Sequence, residues 1–97
     1  MKEKIENFIQ SNLSQYLFKT ESVVSNLPVY FIKSEGILPV IKALKEDNDL
    51  AFDFLNDLTA IDWLGKKVPR FEVCYLLKSP KNKSARVMLK VPVEDGE

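Results

Sequence analysis

Two alternating runs around a short polar turn constrain this chain more than any other feature. Phe71, Val73, Tyr75 and Leu77 alternate with Glu72, Cys74, Leu76 and Lys78. Beyond Ser79-Pro80-Lys81-Asn82-Lys83-Ser84, Ala85, Val87, Leu89 and Val91 alternate with Arg86, Met88 and Lys90. Strand side chains point to opposite faces in turn, so each run lays an apolar row on one face. The pair reads as an antiparallel β-hairpin with one buried face. That face needs a covering layer, which the rest of the chain must supply.

The N-terminal third supplies one. Ile5, Phe8, Ile9, Leu13, Tyr16 and Leu17 recur at spacings of three and four, which predicts an amphipathic helix over 2–17. Two β-rich runs, 18–25 and 29–32, flank Asn26-Leu27-Pro28 and read as a second hairpin, with Pro28 at a strand start or edge. Ser34 is a candidate cap for a second helix carrying Ile37, Val40, Ile41 and Leu44. Pro39 fits only a first helical turn, which pushes the start toward 36–38. Residues 50–58 mix helical and strand spacing. A short helical turn leading into a strand over 57–63 is expected, followed by a turn at Gly65-Lys66-Lys67. The tail from Glu94 to Glu97 is polar and expected to fray. The fold class is therefore α+β, a two-layer α/β sandwich in the order α-β-β-α-β-β-β. Its mixed five-stranded sheet carries both helices on one face. The 97 residues amount to one domain, 1–97.

Composition removes many chemistries. The chain has no His and one Cys, so it lacks an imidazole base, a Cys-His pair and the donors of a structural zinc site. Gly36, Gly65 and Gly96 form no phosphate-cradling loop. No apolar run reaches the roughly 18–20 residues of a membrane span. Lys plus Arg and Asp plus Glu both number 14, which removes the simple case for nucleic-acid binding. An RNA-reading sheet would expose aromatics, whereas Phe71 and Tyr75 lie on the apolar row. The expectation is a soluble intracellular domain with no catalytic residues, no metal and no cofactor of its own.

Charge is segregated all the same. Glu46, Asp47, Asp49, Asp53, Asp57 and Asp62 run without a base. Lys66, Lys67, Arg70, Lys78, Lys81, Lys83, Arg86 and Lys90 follow, with Glu72 alone against them. This pattern suits either ordinary solvated turns and Lys-blunted edges or a patterned docking surface. Asp57 and Asp62, five residues apart on a strand, fall on opposite faces and are no acid–base pair. Cys74 reads as a small strand residue. On the polar row of the final hairpin, Leu76 and Met88 interrupt Glu72, Lys78, Arg86 and Lys90. Leu76, Met88 and Lys90 are thus the candidate partner face.

Three blocks carry a family resemblance: Phe52-Asp53-Phe54-Leu55-Asn56-Asp57-Leu58-Thr59-Ala60-Ile61-Asp62-Trp63, Pro69-Arg70-Phe71-Glu72-Val73-Cys74-Tyr75-Leu76-Leu77, and Arg86-Val87-Met88-Leu89-Lys90-Val91-Pro92-Val93. In this order they resemble the hydrophilic thirty-kilodalton subunit of NADH:quinone oxidoreductase, respiratory complex I. The resemblance implies a non-catalytic structural subunit of the peripheral arm, on the cytoplasmic side of the inner membrane. It would support electron transfer from NADH to quinone coupled to proton translocation. Flavin and iron–sulfur clusters would belong to other subunits. The chief partner would be the large quinone-site subunit, with membrane contact only indirect. Asp57, Leu58, Thr59, Asp62, Trp63, Phe71, Glu72 and Tyr75 would be structural or interaction positions. The family pattern continues into a Trp-x-Glu-Arg-Glu-type motif, expected beyond Glu97, which makes 1–97 the N-terminal domain of such a subunit. The competing expectation is an independent α+β module that binds protein or RNA.

Overall fold

In a computed structural model, residues 2–24, 27–62 and 71–93 are described. Trp63, the Gly65-Lys66-Lys67 turn, Arg70 and the tail from Glu94 lie outside them, as do Ser25 and Asn26. The elements run α1 (Lys2–Asn12), β1 (Leu17–Val24), β2 (Leu27–Ile32), α2 (Ile37–Glu46), β3 (Phe54–Asp62), β4 (Phe71–Ser79) and β5 (Ala85–Val93). β2, β5, β4 and β3 form a four-stranded mixed sheet in that spatial order, and β1 pairs along the outer edge of β2. β2 and β5 run parallel; the other pairs are antiparallel.

The expected hairpin is β4–β5, in register from Phe71↔Val93 to Ser79↔Ala85. Its odd-numbered row faces the helices. Ile5, Ile9 and Leu13 of the N-terminal segment and Val40 and Leu44 of α2 share one buried cluster with Tyr30, Ile32, Leu77, Val87, Leu89 and Val91. Val73 and Tyr75 pack against that cluster half-buried, and Phe71 is half-buried as well. Pro28 is the second residue of β2, where the β1–β2 ladder breaks between Glu21 and Val24, so its missing donor disturbs no regular pairing.

Three expectations need correction. The first helix ends at Asn12 rather than 17. Residues Ser14–Tyr16 form a 3₁₀ turn, and the Tyr16 carbonyl accepts the Lys33 amide at 2.9 Å. Leu17 then pairs with Ile32, so the hairpin takes the backbone that the apolar spacing assigned to the helix.

Ser34 does not cap α2. It opens a 3₁₀ turn over Ser34–Gly36, and Gly36 stands at the N-cap without a side-chain bond. The turn lies tight against Tyr16, where a Cβ on Gly36 would stand 2.5 Å from the Tyr16 Cβ. Pro39 falls in the first turn of α2, as its missing N–H requires.

The helical turn expected within 50–58 lies earlier: the Ala51 amide donates to the Asp47 carbonyl at 2.8 Å and closes a single turn over 47–51. Leu50 and Phe52 are both buried, a spacing of two that an irregular segment satisfies and a helix does not. Phe52 donates its amide to the Leu44 carbonyl at 3.0 Å, and Ala51 takes a positive φ of 46°. β3 therefore begins at Phe54, earlier than expected.

Candidate functional site

The helices cover one side of the sheet. On the other side the register lays out a grid. Asp57 stands beside Leu76, Leu76 beside Met88, and Met88 beside Val29. In the next row Thr59, Cys74, Lys90 and Phe31 are neighbours, and Ile61, Glu72 and Pro92 form a third. Asp57, Thr59, Ile61, Cys74, Leu76, Met88 and Lys90 line a shallow concavity of about 270 Å³. The strand period alone brings Leu76, Met88 and Lys90 together there.

The row is less polar than the sequence suggests. Val29, Phe31 and Cys74 are buried, Leu76 and Met88 half-buried. Glu72, expected among outward-facing charges, is only 3% exposed. Lys90 Nζ lies 3.9 Å from the Glu72 carboxylate and 5.6 Å from the centre of the Phe31 ring. An ammonium held between a carboxylate and an aromatic face is stabilised by both. Lys90 thus belongs partly to the domain's own interior, which the alternation of charge and apolar residues did not reveal.

The other motif residues scatter. Asp57 and Asp62 fall on opposite faces, paired with Leu76 and Phe71. The Asp57 carboxylate accepts the Leu58 amide at 2.9 Å. Leu58 and Tyr75 are neighbours on the helix side, yet Leu58 is 55% exposed. Thr59 lies on the far side beside Cys74. Among the described residues, no group of three His, Cys, Asp or Glu side chains is placed to hold a metal ion. No helix among them is long and apolar enough to cross a membrane.

Two polar clusters escaped sequence reasoning. In the first, the Ser79 hydroxyl donates to the Leu50 carbonyl. The Asn82 amide donates to the same carbonyl at 3.0 Å, to the Asp49 carbonyl at 2.8 Å and to the Ser79 oxygen at 2.9 Å. Lys81 donates to the Asn48 carbonyl, and the Asp47 carboxylate accepts the amides of Asp49 and Leu50. The turn of the β4–β5 hairpin thereby clamps the segment that launches β3. Partners some 30 residues apart leave no local signal. In the second, Tyr30 is 2% exposed. Burial, then the hydrogen bond and charge of Glu6, push its phenol well above the usual tyrosine range.

Comparison with known proteins places the chain. The family described as respiratory-chain NADH dehydrogenase, 30 Kd subunit, matches residues 30–97. The C subunit of NADH-quinone oxidoreductase from Geotalea uraniireducens is 39% identical over 92 residues, covering 95% of this chain and 50% of that protein. The chain spans about half or less of the length of such curated relatives. A trypsin-resistant fragment of Nqo5 shares the fold, with a TM-score of 0.75 at 20% identity over 98% of this chain and 73% of that one. So does a chain of the membrane-bound sulfane sulfur reductase, an archaeal respiratory membrane complex. Its TM-score is 0.71 at 19% identity, over 97% of this chain and 51% of that one. The family match takes in α2, β3, β4 and β5 and all three sequence blocks, and on that ground this chain belongs to the 30 kDa-subunit family of respiratory-chain NADH dehydrogenases.

Proposed function

We propose that this chain is the N-terminal domain of the thirty-kilodalton subunit in a proton-pumping NADH:quinone oxidoreductase and acts as scaffold in its peripheral arm. The observation that carries this reading is the family match over residues 30–97, which contains the final hairpin and the strand beside it. In this role the domain holds no flavin, cluster or quinone, and electrons pass through other subunits. It sits on the cytoplasmic side of the inner membrane and meets the bilayer only through its neighbours. The large quinone-site subunit docks on the helix-free side of the sheet, on the concavity where Leu76 and Met88 lie beside Lys90. A half-buried apolar floor rimmed by Asp57 and Lys90 combines burial with orienting charge, as interfaces do. The test is affinity capture of the tagged chain from detergent-solubilised membranes of its own host. Recovery of cluster-bearing oxidoreductase subunits is expected. A chain recovered alone, or with partners unrelated to quinone reduction, contradicts the reading.

A further inference from the structure

We propose that the outer edge of β3 receives an extended, basic segment of a partner protein as an added strand. Among the described residues β3 pairs on one side only, with β4, through eight of its nine residues. Every side chain from Phe54 to Ala60 is exposed. Phe54, Leu55 and Leu58 are 51%, 50% and 55% exposed, a dense apolar content for an open edge. Such an edge is a template for strand addition, and proteins usually blunt it with Lys or Pro. β3 contains neither. It has a bulge between Leu55 and Asp57, and the Asp57 carboxylate occupies the Leu58 amide.

Charge decides the occupant. Asp53 precedes the strand, Asp57 and Asp62 lie in it, and no base occurs between Glu46 and Asp62. Antiparallel pairing with a second copy centred on Asp57 would set the two Asp57 carboxylates opposite each other, and like charges across strands are destabilising. Asp57 favours a strand bearing Lys or Arg on the face they share. A cation beside Asp57 draws off its carboxylate and releases the Leu58 amide for the incoming backbone. Apolar residues alternating with those cations would cover Leu55 and Leu58. This edge borders the concavity of Leu76 and Met88 and shares Asp57 with its rim.

The test mixes the full chain with nine-residue peptides, the length of β3. One alternates Val and Lys and one alternates Val and Glu. A third repeats the Val/Lys sequence with every backbone nitrogen methylated. The Val/Lys peptide should slow amide exchange at alternate residues of 54–62. It should bind at least ~10-fold more tightly than the Val/Glu peptide, with the difference shrinking in salt. The methylated peptide should give no protection, since added strands are held by backbone bonds. Asp57→Asn should narrow the Lys-over-Glu preference, and Asp57→Lys should narrow it further. Equal binding of the two charge types, protection by the methylated peptide, absence of binding, or a chain that dimerises in sedimentation without peptide would each overturn the proposal.

Discussion

Removing Ser79 and Asn82 together should cost more than the sum of removing each. Both side chains donate to one acceptor, the carbonyl of Leu50, a residue only 2% exposed. Asn82→Ala removes three contacts. The Asp49 carbonyl is exposed and regains water, and Leu50 keeps the Ser79 hydroxyl. The net loss is about 1 kcal/mol, one ordinary hydrogen bond. Ser79→Ala takes a hydroxyl from a fully buried site but leaves Leu50 the Asn82 amide, again about 1 kcal/mol. The double variant strips both donors from a buried carbonyl, which adds a desolvation cost of ~1–3 kcal/mol. The expected total is about 4 kcal/mol, with a coupling of about 2 kcal/mol. Urea unfolding of the four proteins in the cycle measures it. The excess should appear as an extra fall of about 1–2 M in the double variant's midpoint. Additivity within ~0.4 kcal/mol would show that the two donors do not share the Leu50 carbonyl, and would refute the clamp.

Gly36→Ala should destabilise by about 1–3 kcal/mol, because the new methyl meets the root of the Tyr16 side chain, which cannot swing away; thermal unfolding checks it. Tyr30→Phe should cost about 1 kcal/mol at pH 7 through the lost bond to Glu6. It should also flatten stability against alkali. Unfolded tyrosine ionises near pH 10 while the folded phenol resists, so Tyr30's contribution is whole below about pH 10 and drains away above it. The difference between wild type and Tyr30→Phe should therefore shrink from pH 10 upward. A constant difference from pH 7 to pH 11 would contradict the assignment.

The final hairpin is legible in the sequence because β4 and β5 each bury a single row, and period two is then unambiguous. The apolar stripe of α1 is equally plain, but not its end. Tyr16 and Leu17 continue the helical spacing while the Lys33 amide and Ile32 pull their backbone into the sheet. Long-range pairing of this kind is invisible to local periodicity. Residues 50–52 are misread for a similar reason. Beside the local bonds of Asp47, their conformation is set by Leu44, Ser79 and Asn82, none of them a neighbour in sequence. At the candidate site, alternation puts Leu76, Met88 and Lys90 on one face. It cannot reveal that Glu72 beside them is buried with Lys90 as its neighbour. That contact also changes which substitution tests the face. Reversing the charge of Lys90 would set a second carboxylate against Glu72 and disturb the domain itself, so the apolar pair is the cleaner probe.

The docking role of the helix-free face is tested most directly by Leu76→Asp with Met88→Asp. These two half-buried neighbours lie in the concavity on adjacent strands. The measurement is the yield of oxidoreductase subunits recovered with the tagged double variant, relative to wild type, alongside the urea midpoint of each chain. At least a ~10-fold loss of recovered subunits is expected, since two carboxylates in an apolar contact each cost on the order of 1–3 kcal/mol, with the variant still folding cooperatively. Recovery at the wild-type level by a folded double variant would contradict it and move the docking surface elsewhere on the domain.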